Sequence, residues 1–208
     1  DEVLIKEKLF DYNQLKQYDK LVDIFGEEAS KGVILIDMET KLPIIEKNEI
    51  NKAKGAFKAD CMIKMNNSNA IYSISIKSKN GANPAILNHT PRTAKVFQEG
   101  GILYDCMSSL DKIIKEYISK RSRKIIRQDV QISKLESAKD LVIKNNFMKV
   151  LSYFAFDGSG KGDSVCKSNA IIHYEGENIT FIKCISIEEK REYIKTIYDS
   201  MIISLRNK

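Results

Sequence analysis

Hydrophobic positions along the chain recur with two different periods, and the changes between them outline the elements. Over residues 7–25, Leu9, Phe10, Leu15, Tyr18, Leu21, Val22 and Phe25 fall at helical spacings, and Gly26 marks the stop. Residues 31–37 form a compact β-branched run and predict a strand. Residues 43–58 carry no clear period. Residues 59–65 and 71–77 alternate around the polar turn Asn66-Asn67-Ser68-Asn69, the pattern of a β-hairpin. On the second of these strands Ile74 and Ile76 share one face, and Ser73, Ser75 and Lys77 share the other.

Residues 102–127 predict a long amphipathic helix, with Leu103, Cys106, Leu110, Ile113, Ile114, Tyr117 and Ile118 along one face. Its end is basic: Lys120, Arg121, Arg123, Lys124 and Arg127. A further helix is expected over 137–145, then a strand over 147–156 and a Gly/Ser loop over 157–164. A second hairpin is expected over 170–184, turning at Glu175-Gly176-Glu177, with a closing helix over 187–205. Helices combined with mostly hairpin-linked strands give an α/β (α+β) layered domain.

Composition narrows the class. A length of 208 residues suits a single domain, 1–208, with or without a modest insertion, and is enough for a real core. With 43% hydrophobic and 30% charged residues, the chain is neither disordered nor collagen-like. No apolar run approaches the roughly 18–20 residues needed to cross a bilayer, so no membrane is expected as a partner. The 4 cysteines are scattered without a C-x-x-C, and with only 2 histidines a zinc site is not indicated. The pattern reads as reduced, intracellular and cytoplasmic. A net charge of +6 hints at a polyanionic partner, although proteins without one carry as much.

The candidate chemistry lies in the first hairpin. Antiparallel pairing around the 66–69 turn brings Asp60 and Lys77 to the same edge of the sheet. A carboxylate suits a hard Mg²⁺ ion, and a lysine beside it suits charge developing on a phosphate. Two such residues in a charge-rich chain also read as an exposed cross-strand ion pair worth about 0–1 kcal/mol.

Lys58-Ala59-Asp60 opening one strand and Ser75-Ile76-Lys77 closing the next resemble the PD-(D/E)XK nuclease superfamily, which includes most type II restriction endonucleases. The resemblance spans residues 58–78. It implies a restriction-endonuclease-like mixed central sheet flanked by helices, with Asp60 binding Mg²⁺ and Lys77 acting as the catalytic lysine. It also implies cleavage of double-stranded DNA, often by a homodimer. Ala59 stands where the motif has proline, and Ser75 stands where it has an acid, so one negative charge is missing. Members of the family often add a glutamate from the preceding helix. Glu28 fits that place by order along the chain, with Glu27, Glu46 and Glu49 in competition.

The segment after Lys77 carries Lys79, Asn80, Asn83, Asn88, His89, Thr90 and Arg92, an inventory suited to phosphates and base edges. The same residues also suit a solvated turn-rich connection. The basic run at 120–127 suits phosphates as well, and equally suits a helix C-terminus. Residues 157–164 lack the glycine spacing of a Walker loop and the closing Glu of an EF-hand, although Lys161 there is a candidate backbone contact. Because Ser75 weakens the metal site, a non-catalytic nucleic-acid-binding or assembly module is the alternative. An RNA substrate also stays open.

Overall fold

In the computed structural model, residues 2–80, 97–122, 130–131, 141–159 and 161–203 are described. The chain divides into two compact units where the sequence suggests one domain. The first comprises residues 1–85 and 163–185, the second residues 86–162 and 186–208.

The first unit is built on a five-stranded sheet whose strands lie in the order Val33–Ile36, Cys61–Met65, Ile71–Ser78, Ala170–Glu175, Asn178–Lys183. Helices α1 (Glu2–Gln14) and α2 (Tyr18–Phe25) precede β1 (Val33–Ile36). These two helices replace the single one expected over 7–25. The chain breaks between them at Lys16, whose φ of 54° lies outside the helical range. Strand β2 (Cys61–Met65) and strand β3 (Ile71–Ser78) form the expected hairpin, with Cys61 opposite Ile74 and Ile63 opposite Tyr72. β1 extends the antiparallel meander on the far side of β2.

Strand β7 (Ala170–Glu175) then returns parallel to β3, placing Ser75 beside Ile171 and Lys77 beside His173. Its second neighbour, β8 (Asn178–Lys183), closes the second expected hairpin. Polar groups fix the entry to β7: the Asn169 backbone N–H donates to the Ser73 carbonyl at 2.8 Å, and its side-chain oxygen accepts from the Ser73 N–H at 2.8 Å. The sheet is therefore mixed, as expected.

Alternation decides which way each strand faces. Cys61, Ile63, Met65, Tyr72, Ile74, Ala170 and Ile172 pack with Ile5 and Leu9 of α1 and Leu21 and Phe25 of α2 in one core. Fully burying each of the larger aliphatic side chains is worth about 1.5–3 kcal/mol. Gly32 permits the close approach of α1 to β1. Its φ is +86°, and a Cβ there would run into the Asn13 side chain, whose oxygen accepts the Val33 N–H at 3.1 Å.

The second unit packs three helices: α3 (Ile102–Ser122), α4 (Leu141–Ser152) and α5 (Ile187–Tyr198). The strand expected over 147–156 is helix instead, as α4 runs on into a π-helical turn, Tyr153–Asp157. Phe147, Leu151 and Phe154 are all buried at helical spacing, and the equally buried Met148, Val150, Ala155 and Phe156 fill the positions between them. A helix buried around most of its circumference loses the polar stripe that would reveal its period. The closing helix ends at Tyr198 rather than 205, and Ile202–Ile203 pairs as a strand with Val130–Gln131. Where a loop is expected, Gly158–Ser159 pairs with Gly162–Asp163 in a two-stranded sheet. No helix among the described residues is long and apolar enough to cross a membrane, and the four cysteines are buried and form no disulfide.

Candidate active site

The antiparallel ladder continues one residue beyond the formal start of β2. The Asp60 backbone N–H donates to the Ile74 carbonyl at 2.8 Å. With Cys61 opposite Ile74, this sets Asp60 opposite Ser75 and sends both side chains to the sheet face away from α1 and α2. Asp60 Oδ2 accepts the Ile76 backbone N–H at 2.7 Å and the Ser75 hydroxyl at 3.3 Å. The carboxylate is thus fixed by the neighbouring strand, and Ser75 is itself fully buried.

Three charged groups converge here. Burial raises the Asp60 pKa, opposed by the Ile76 N–H and the Lys77 charge, and supported by the Glu2 carboxylate. Burial lowers the Lys77 pKa against the attraction of Asp60. Lys58 is pushed down to about 8 by burial and then by the charge of Lys77, with Asp60 acting in the opposite direction. The backbone at Lys58 is held in turn: its N–H donates to the Cys166 carbonyl at 3.0 Å and to the Ser164 hydroxyl at 2.9 Å. His173, in register with Lys77, is lowered by burial and by the charges of Lys79 and Lys77.

The first hairpin therefore brings together Asp60, Ser75 and Lys77 as the sequence suggests, and adds three residues that sequence reasoning missed. Lys58 lies within the quoted motif, two residues before Asp60, and was visible there as a second cation. His173 joins only through the parallel pairing of β3 and β7, which no local pattern reveals. Glu2 belongs to α1, where its carboxylate accepts from Lys6 Nζ at 2.8 Å and from the Ala53 N–H. It acts on Asp60 through its charge, and only the packing of α1 discloses it.

Glu28, expected beside Asp60, sits elsewhere. Its carboxylate accepts the Tyr72 hydroxyl at 2.8 Å and Lys183 Nζ at 2.9 Å. Tyr72 is three residues from Ser75 and faces the opposite side of the sheet, into the core with α1 and α2. Lys183 and Tyr72 hold the Glu28 carboxylate below its ordinary range, so it serves as a brace between elements. Glu49 is also committed, accepting the Ile45 and Glu46 N–H groups in a capping box.

Of the expected nucleic-acid contacts, Lys79 is exposed and lies 3.7 Å from the Glu175 carboxylate. The Asn80 side chain accepts the Gly176 N–H at 2.8 Å, tying the end of β3 to the β7–β8 turn. Lys161 is exposed in the second unit. Asn83, Asn88, His89, Thr90 and Arg92 lie outside the described residues, as does the basic run beyond Ser122.

Asp60 also borders a cleft of about 230 Å³, lined by Lys6, Asp37, Glu49, Lys54 and Met62 among others. No group of three or more His, Cys, Asp or Glu side chains that could hold a metal ion occurs among the described residues. Comparison with family profiles, curated proteins and solved structures finds no match.

Proposed function

We propose that the chain is a Mg²⁺-dependent endonuclease of double-stranded DNA, with a restriction-endonuclease-like fold in its first unit. The observation that carries this reading is the placement of Asp60, Ser75 and Lys77 on one face of the β2–β3 hairpin, with Lys58 alongside.

The donor set fits Mg²⁺ in the mode in which one or two carboxylates share the ion with substrate phosphates. Asp60 offers a hard carboxylate, with the neutral Ser75 hydroxyl beside it. When bound, the ion would polarise the scissile phosphate and acidify a water. The protein's own groups do the rest. The Ile76 N–H fixes the Asp60 carboxylate, so its orientation is set before substrate arrives. Lys77 lies where a cation stabilises charge developing on phosphate oxygens, and its half-buried setting strengthens that effect. A sequence-specific type II enzyme would meet a palindromic site as a homodimer.

Incubation of supercoiled plasmid with Mg²⁺ tests the proposal. Wild type is expected to nick or linearise the DNA. Asp60→Asn and Lys77→Met are each expected to lose at least about 100-fold in rate, the scale on which removing one electrostatic stabiliser acts. Undiminished cleavage in both variants removes the site.

A second reading has its own support. Ser75 in the acidic position, with no three-ligand cluster among the described residues, favours a module that binds DNA without cutting it. Duplex binding that is retained, with no cleavage under Mg²⁺ or Mn²⁺, would select it.

A further inference from the structure

The two edges of the five-stranded sheet are finished differently. At β1 the edge is covered: the Val33 N–H donates to Asn13 Oδ1 at 3.1 Å, and residues 42–44 fold back along the strand. There the Ile44 N–H donates to the Leu35 carbonyl at 2.8 Å, and the Asp37 N–H to the Leu42 carbonyl at 2.9 Å. At β8 no further strand among the described residues pairs with the outer side. The Tyr174 carbonyl accepts the Lys79 N–H on the β3 side, so His173 and Glu175 turn toward β8 and bond to Thr180 and Asn178. The Cys184 N–H, which donates to the Asn169 carbonyl at 2.9 Å, keeps the same phase. The N–H and C=O groups of Ile179, Phe181 and Lys183 therefore point outward. The strand has no proline and one charge, at its last residue, so little protects this edge from pairing. An ion pair stands at each end, with opposite polarity. Before β8, Glu177 lies 3.2 Å from Lys8 of α1; at its end, Lys183 lies 2.9 Å from Glu28. Both pairs lie on the α1 and α2 side, as do Ile179 and Phe181.

We propose that β8 pairs antiparallel with β8 of a second copy of this chain, about a two-fold axis at Thr180. In that register Ile179 lies opposite Phe181 of the second copy, and Glu177 opposite Lys183 of the second copy, once on each side of the axis. The two ion pairs then join in a row of alternating sign at both ends: Lys8, Glu177, and Lys183 and Glu28 of the second copy. Shifting the axis to Phe181 sets Lys183 against Ile179, and shifting it to Ile179 sets Glu177 against Phe181. An in-register parallel pairing sets like charges against each other. Only the Thr180 axis matches charge and apolar surface together. Because the β1 edge is covered, a single pairing closes the assembly as a dimer and does not propagate. The proposal goes beyond the function given above: it assigns a surface, and it holds whether or not the chain cuts DNA.

Sedimentation velocity of the full chain without DNA, from about 1 to about 200 µM, is expected to show monomer converting to dimer with Kd on the order of 10 µM. Facing Thr180 residues would form a non-hydrogen-bonded pair with Cα atoms about 4.5 Å apart, within disulfide reach. On mild oxidation, Thr180→Cys is therefore expected to give about tenfold more linked dimer than Asn178→Cys, which would face Ile182 of the second copy. Wild type, with its four buried cysteines, sets the background. Glu177→Lys and Lys183→Glu each bring like charges together and should raise Kd about tenfold or more. An equimolar mixture of those two variants, in which opposite charges meet again, should recover dimer. Ile179→Pro removes an outward N–H and no bond to β7, so it should fold, by circular dichroism, and stay monomeric. Wild type that remains monomeric throughout overturns the proposal and leaves the edge to a strand of another protein. A dimer in which Thr180→Cys links no better than Asn178→Cys, or which folded Ile179→Pro leaves intact, overturns it by placing the contact elsewhere. Plasmid cleavage is read separately: a dimer through β8 that cuts no DNA keeps this surface and removes the nuclease, and a monomer that cuts does the reverse.

Discussion

Lys58 carries a stability cost. Its pKa of about 8 in the folded chain, against an ordinary 10.5, means that folding disfavours its charged form. Below pH 8 both folded and unfolded chains hold the proton and the full cost applies. Between pH 8 and 10.5 the folded chain releases the proton first, so this contribution to stability improves as pH rises. Lys77 is displaced in the same direction and adds to the same alkaline trend. Asp60 is displaced upward by burial, which disfavours its charged form. Replacing Lys58 with Met removes the charge and keeps an apolar stem. It should stabilise the protein at pH 7 by about 1–3 kcal/mol, taking about 1.4 kcal/mol per pKa unit and discounting for partial exposure. The gain should shrink toward zero near pH 10.5. Urea unfolding of both proteins at pH 7 and pH 10 checks this; a gap that does not change with pH would mean that Lys58 is not desolvated.

At the scale of elements, what was legible depended on how much of each element's surface meets water. The β2–β3 hairpin was plain because one face is core and the other polar, so the period of two survives in the sequence. The same clarity brought Asp60 and Lys77 to one edge of the sheet. The 147–156 segment was misread because most of its positions are buried, which erases the period. The site was half legible for a related reason. Asp60, Ser75 and Lys77 share one hairpin, whereas Glu2 and His173 arrive through helix packing and a parallel strand pairing between residues distant in sequence. Glu28 was misplaced because chain order cannot tell on which face of a sheet a side chain ends.

Where local chemistry is complete, it suffices. Helix α5 starts at a capping box in which the Ser186 hydroxyl accepts the Glu189 N–H at 3.0 Å and the Glu189 carboxylate accepts the Ser186 N–H at 2.7 Å. Its second turn is tied down by Lys190, whose ammonium is 2.8 Å from the Asp157 carboxylate and 5.3 Å from the centre of the Phe156 ring. Ser186→Ala removes the cap at the boundary where the chain enters the second unit for the last time. It should cost about 1 kcal/mol in chemical unfolding. Ser186→Asp, which keeps a cap acceptor, should restore that loss; failure of Asp to do so would place the cost outside the cap.

At the scale of the whole molecule, the +6 charge is a weak argument taken alone, because a sum is indifferent to where its charges lie. Position turns it into a testable statement. Lys20 is exposed on α2, whose packed side is buried against the sheet face opposite Asp60, while Lys77 shares the other face with Ser75 and Asp60, and Lys58 is two residues before Asp60. Lys20→Gln and Lys58→Gln each remove one positive charge from the total, so an account based on net charge expects them to weaken duplex binding alike. An account in which DNA lies along the Asp60 hairpin expects them to differ. Each lysine that neutralises a DNA phosphate on binding contributes about 0.9 to the slope of log affinity against log salt concentration. Lys58→Gln should therefore make that slope shallower by about 1, and Lys20→Gln should leave it unchanged. Fluorescence anisotropy of a labelled duplex across a salt series measures both slopes. Equal changes in the two variants would return DNA binding to the overall charge and detach it from the β2–β3 hairpin; a change confined to Lys58→Gln would tie the positive charge of the chain to the face that carries Asp60.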